Sequence, residues 1–242
     1  SFRTNSSSEL LKWGEKECSV FGTVVSENGT EELGLVFTPG ERTAFCNGKP
    51  LDSVTELIGR LRVIAFSPAD LSLVKGSPSG RRRFLDRHMV DLNPGFIKVL
   101  MAYQRALASK SAVLKQPGID YSHVKPWNEL LADYCGKIVD NRLNFIKSLG
   151  DKAALFHEQY APSDGILTIS LESDFVEDDR ALSCDEILGR LEGVAPKEMM
   201  MRTPSLGAQR DDLKIALGGV DARAFASQGQ TRSVVLSLKL GV

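Results

Sequence analysis

Two long apolar periodicities in the middle of the chain restrict its architecture more than any other feature. Phe96, Val99, Leu100, Tyr103, Leu107 and Leu114 fall at three- and four-residue steps, and Leu131, Tyr134, Ile138, Phe145, Leu149 and Phe156 continue in the same way. Such spacing places apolar side chains on one face of a helix and is incompatible with a strand. Gln116-Pro117-Gly118 ends the first helix, and the second runs from after Lys125-Pro126 to Ala161-Pro162. Two long helices joined by a short loop are expected to pair antiparallel.

The flanks carry a different period. From Val20 to Arg62, Val20, Gly22, Val24 and then Leu33, Leu35, Phe37 alternate with polar residues, and Glu27-Asn28-Gly29-Thr30 and Asn47-Gly48 are hairpin signals. Leu57 to Leu61 reads as a short helix, and Val63 to Phe66 as a buried strand ended by Ser67-Pro68. At Gly76 the character changes: Ser77 and Pro78 open a helix that stops near Asn93-Pro94. Further on, Ile166 to Leu171 reads as a strand and Cys184 to Leu191 as a helix. From Thr203 β-like patterning returns, with Gly218-Gly219 as a turn. The fold class is therefore α+β, and three segments are expected, at 1–76, 77–203 and 204–242.

Charge excludes one broad class of partner surface. With 30 basic and 31 acidic residues among 242, no global field advertises nucleic acid, so any such contact has to come from a local patch. The four cysteines lie far apart, without metal-ligand spacing, and are expected as reduced thiols of a cytoplasmic protein. No apolar run approaches a membrane span. A chain that opens on Ser1-Phe2-Arg3-Thr4 without an initiator methionine is expected to be part of something longer.

Three clusters could carry chemistry. Ser227-Gln228-Gly229-Gln230 opens directly into the apolar run Val234 to Leu238, with Arg232 one turn in. Unpaired backbone N–H groups at such a helix start suit an anion, although the same residues also read as an ordinary N-cap. Lys75, Arg81, Arg82, Arg83 and Arg87 put cations at the start of a helix, where they oppose the dipole. They are either a solvated face or a contact for DNA phosphate. Asp211-Asp212 could hold Mg²⁺ or pair with Arg210. His88, His123 and His157 have no visible catalytic partner, and the chain contains no P-loop.

Taken together, the run Phe66 to Pro78, the arginine-rich Arg81 to Asp86, Gly207 to Leu213 and Ser227 to Arg232 closely resemble the bacterial RecF family of DNA replication and repair proteins. The resemblance implies an ABC-type ATPase head related to the SMC and Rad50 heads, with an inserted helical arm at 77–203. It places Ser227, Gln228, Gly229 and Gln230 at the signature loop, which in that family caps an ATP held by the P-loop of a second subunit. The implied cofactors are ATP and Mg²⁺. The implied partners are single-stranded or gapped DNA, a second copy in an ATP-dependent homodimer, and RecO and RecR. The implied work is gap repair, recombinase loading and the SOS response. Asp70 falls near the segment that carries a metal-sensing glutamine in the SMC relatives. The family usually has Pro-His where this chain has Ala208-Gln209. With P-loop and Walker B acids both absent, these residues alone are expected not to turn over ATP. The alternative is a non-enzymatic DNA- or protein-interaction module.

Overall fold

The computed structural model describes residues 7–26, 29–61 and 65–242, and the chain divides into two compact units, Ser1–Ala69 and Asp70–Val242.

The first unit is an antiparallel meander of β1 (Cys18–Ser26), β2 (Gly29–Thr38), β3 (Glu41–Cys46) and β4 (Lys49–Pro50), in that order. Cys18 stands opposite Phe37 and Ser26 opposite Gly29, so the first expected hairpin forms; its turn residues 27–28 lie outside the described residues. At the second turn Asn47 and Gly48 have φ of 51° and 74°, the left-handed pair that a type I′ hairpin needs. The Asn47 side-chain oxygen also accepts from the Glu32 N–H at 2.8 Å. The helix expected over Leu57 to Leu61 forms earlier, as a 3₁₀ turn at Val54–Leu57, because Ser53 and Glu56 cap its start reciprocally. Half of the strand expected at Val63 to Phe66 lies outside the described residues, and its remainder, Ala65 and Phe66, is not in a strand.

The second unit is built on one long helix. In order it comprises α1 (Ser72–Lys75), α2 (Pro78–Leu92), α3 (Phe96–Leu114), α4 (Tyr121–Tyr160), β5 (Leu167–Glu172), a small hairpin of β6 (Val176–Glu177) and β7 (Arg180–Ala181), and α5 (Cys184–Met201). Then come β8 (Asp212–Leu217), β9 (Val220–Asp221), α6 (Ala222–Phe225) and α7 (Gln228–Leu240). At 40 residues α4 is about 60 Å long. It packs against α3, α5, β5 and α7.

The sequence explains these bounds. α4 starts before Pro126 because Asp120 caps it, accepting from Ser122 N–H, and the proline then removes only one ladder bond near the beginning. α5 runs ten residues past the expected Leu191, through Pro196, because its buried face continues through Ala195 and Glu198. β5 and β8 pair antiparallel, Leu167 opposite Leu217, and Gly218 and Gly219 turn the chain into β9 with φ of 54° and 81°. Leu85, Leu114, Leu131, Ile138, Leu149, Ile187, Leu191, Leu213 and Leu238 form the buried core. No helix among the described residues is long and apolar enough to cross a membrane.

Candidate nucleotide-phosphate site

The head of α7 is a closed capping box. The Ser227 hydroxyl oxygen accepts the Gln230 N–H at 3.2 Å, and the Gln230 side-chain oxygen accepts the Ser227 N–H at 2.9 Å. Thr231 adds its N–H and hydroxyl to the Ser227 carbonyl at 2.9 and 2.7 Å. What remains for a ligand is the hydroxyl proton of Ser227 and the N–H groups of Gln228 and Gly229, which at the first two helical positions have no intrahelical acceptor. Ser227, Gln228, Gly229 and Arg232 are exposed. A Cβ at Gly229 would touch only Ser227 Oγ, at 3.8 Å, so no packing contact requires glycine there. A glycine inside a helix costs about 1 kcal/mol relative to alanine, and the lack of a side chain there leaves the backbone open to close approach. The donors and the helix dipole fit a phosphate group.

The helix behind this head is fixed on several sides. Thr231, Val234, Val235, Ser237 and Leu238 are buried. Ser237 stands 3.3 Å from the Nδ1 of buried His157 on α4, and Lys239 pairs with Asp70 at 2.8 Å. Burial holds the His157 pKa below its ordinary value.

The basic cluster divides into buried and exposed members. Arg81 is 2% exposed and grips Asp212 with two bonds, Nε to Oδ1 at 2.6 Å and an amino nitrogen to Oδ2 at 2.7 Å. The expectation that Arg81 reaches DNA is therefore corrected: its fork is spent inside the protein. Arg82 is half-buried and donates to the Asp211 carbonyl at 2.7 Å; burial, with the nearby Arg142 charge, lowers its pKa. Lys75 donates to the backbone carbonyls of Ala222 and Arg223 at 3.1 and 3.0 Å. Arg83 and Arg87 are exposed.

Asp211 and Asp212 are corrected in the same way. Their partners are Arg142 and Arg81, from distant helices, and not the adjacent Arg210. Among the described residues no group of three or more His, Cys, Asp or Glu side chains could hold a metal ion.

Sequence reasoning missed Arg142. It donates to Asp211 Oδ2 at 2.6 Å, to the Ala208 carbonyl at 2.7 Å, and to Asp86 Oδ1 from two nitrogens at 3.1 and 2.8 Å. The signal was present, because Arg142 falls in the apolar stripe between Ile138 and Phe145. Lys110, on the buried face of α3, was missed for the same reason; it pairs with Glu198 of α5 at 2.6 Å, both fully buried. The Glu198 carboxylate also accepts from the Ser205 hydroxyl at 3.1 Å and the Leu206 N–H at 3.4 Å, ordering the approach to Gly207. At Gly207, φ is 144° and a Cβ would collide with the Tyr103 hydroxyl at 2.6 Å, so only glycine fits. That hydroxyl is hydrogen-bonded to the Gln209 side chain and accepts the Gln209 N–H at 3.2 Å. Burial raises the Tyr103 pKa and pushes the neighbouring Cys135 thiol up to about 12.

Comparison with known proteins adds to this geometry. The DNA replication and repair protein RecF of Symbiobacterium thermophilum is 35% identical over 245 residues, covering 99% of this chain and 65% of that protein. The RecF of Enterococcus faecalis is 33% identical over 248 residues, covering 99% of this chain and 66% of its own length. This chain belongs to the RecF family. No protein-family model matches it. The solved structure of the recombination mediator protein RecF-ATP in the RecFOR pathway superimposes with a TM-score of 0.91 at 27% identity. That match covers 100% of this chain and 66% of the solved RecF chain. A second RecF structure, described with ATPrS, gives a TM-score of 0.89 at 26% identity. The α+β fold is thus the RecF fold. The chain spans just under two thirds of the first of these RecF relatives.

Proposed function

We propose that this chain is the signature-bearing part of a RecF-type ATPase of DNA replication and repair, in which the head of α7 grips the terminal phosphate of an ATP held by a second copy. The observation that carries this reading is the exposed, capped helix start. Ser227 is held by Gln230, two backbone N–H groups point outward, and Gly229 leaves the approach open. ATP, with Mg²⁺, supplies the anionic phosphate chain that completes the interface between two copies. In this chain, Ser227 Oγ and the N–H groups of Gln228 and Gly229 bind and orient the phosphate. Gln230 keeps Ser227 in place, and buried α7 keeps the loop rigid.

On this reading the protein works in the cytoplasm, closes on single-stranded or gapped DNA when ATP joins two copies, and serves gap repair and recombinase loading with RecO and RecR. Exposed Arg83 and Arg87 are the members of the basic cluster left to meet DNA phosphates. The family membership and the ATP in the solved relative support this reading. The test is light scattering of the full-length protein carrying Ser227→Arg, which fills the phosphate approach. The variant should bind ATP as a monomer and fail to dimerise with it. DNA binding that is equal with and without ATP in the wild type would instead identify a non-enzymatic interaction module.

A further inference from the structure

We infer that Lys75 is a positioning residue for the phosphate-gripping loop and not a DNA contact, an inference that rests on the role proposed above for Ser227. Lys75 is the last residue of α1, and its Nζ donates to the carbonyls of Ala222 and Arg223, at 3.1 and 3.0 Å, across 147 and 148 residues of sequence. Both carbonyls belong to the first two residues of α6, a helix of four residues. The Ala222 carbonyl also accepts the Ala226 N–H, so the ammonium is a second donor there, and it ties the first turn of α6 to the end of α1.

α6 also lies against β8 and β9. Asp221 caps its start through the Arg223 N–H at 2.8 Å, and Ala222 is its one buried residue. Ala226 alone separates α6 from Ser227, with its N–H returned to the Ala222 carbonyl at 3.1 Å. A displacement of α6 is therefore passed directly to the capping box.

Lys75 is itself well placed to impose a position. Leu73 and Val74 beside it are buried. Gly76 closes α1 through its N–H to the Ser72 carbonyl at 2.8 Å, and a Cβ there would lie 2.3 Å from that oxygen, so the turn admits only glycine. Arg81 donates to the Gly76 carbonyl at 3.0 Å while holding Asp212. A continuous line thus runs from Asp212 through Arg81, the end of α1, Lys75 and α6 to Ser227. Its place just before the run Arg81 to Arg83 is what made Lys75 resemble a DNA contact in sequence.

The full-length protein with Lys75→Met separates the two roles, with Lys75→Arg as the conservative variant and Ser227→Arg measured alongside. Lys75→Met should raise the dissociation constant of the ATP-dependent dimer about tenfold, the loss expected when a charged donor leaves two carbonyls. Monomer affinity for ATP, and the salt dependence of nucleotide-free DNA binding, should stay as in the wild type. Lys75→Arg should recover most of the dimer. Wild-type dimerisation by Lys75→Met, in a background where Ser227→Arg abolishes it, overturns the positioning role alone. A salt slope smaller by about 0.9 in Lys75→Met would make Lys75 a phosphate contact and overturn it too. Normal dimerisation by Ser227→Arg would instead remove the reading on which the inference stands.

Discussion

Arg142, near the middle of α4, lies 2.6 Å from the carboxylate of Asp211 at the foot of β8, with side chains only 3% and 1% exposed. The same guanidinium holds Asp86 of α2. One side chain therefore joins the long helix α4, the helix that carries the arginine cluster, and the strand that leads toward the candidate phosphate site.

Removing that guanidinium should be among the most damaging single changes in this unit. Arg142→Met strands two carboxylates, one of them buried, and is predicted to cost about 3–5 kcal/mol. Arg142→Lys should recover little, because a single ammonium cannot reach Asp86, Asp211 and the Ala208 carbonyl with the geometry of the fork. Urea denaturation checks this; a loss below about 1 kcal/mol would contradict it.

The arginine cluster should separate by burial. Arg81→Met is predicted to destabilise strongly by leaving Asp212 unpaired, whereas Arg83→Ala should stay within about 0.5 kcal/mol. In the full-length protein, Arg83→Ala and Arg87→Ala should each flatten the salt dependence of DNA binding by about 0.9 in slope. Binding isotherms over a salt series decide the matter, and an unchanged slope in both variants would remove these residues from the DNA surface.

Much of this was legible in sequence where local physics decides. The stripe Phe96 to Leu114, the Asn47-Gly48 turn and the cap at Ser227 depend on residues within a turn or two of each other, and each formed. The expected start of α4 after Pro126 and the expected end of α5 at Leu191 both fall short, because Asp120 caps α4 ahead of the proline and the buried face of α5 continues through Glu198. The charge assignments failed for another reason. Asp212 finds Arg81 across 131 residues, and Asp211 finds Arg142 across 69, so the adjacent Arg210 was a poor guide to their partners. A charge inside an apolar stripe, as at Arg142 and Lys110, is the pattern that points to such a partner.

Gln230 allows stability and phosphate binding to be separated. Gln230→Ala opens the capping box and should cost about 1 kcal/mol. Gln230→Glu keeps an acceptor for the Ser227 N–H and puts an anion where the helix dipole favours it, so melting should not fall. The same anion faces the incoming phosphate and should weaken the ATP-dependent dimer. A Gln230→Glu protein that melts normally and dimerises like wild type would contradict the phosphate role.

Acid should loosen the second unit before the carboxylates titrate. Burial holds both His88 and His157 below the ordinary histidine value of about 6.5. The unfolded chain therefore takes up protons that the folded chain resists, and stability must fall as pH drops through about 6.5. Urea midpoints between about pH 7.5 and 5.5 should decline, with His157→Gln removing part of the slope. A flat profile for the wild type would show that neither imidazole is held neutral by the fold.

The central claim is that Ser227 acts across an interface, on a nucleotide held by another copy. Mixing two inactive full-length proteins tests it most directly: one carries Ser227→Arg and binds ATP, the other has an intact Ser227 and a disabled P-loop. Neither alone should dimerise with ATP, and the mixture should form heterodimers with one working composite site, visible by light scattering. A mixture that stays monomeric while wild type dimerises would contradict action in trans.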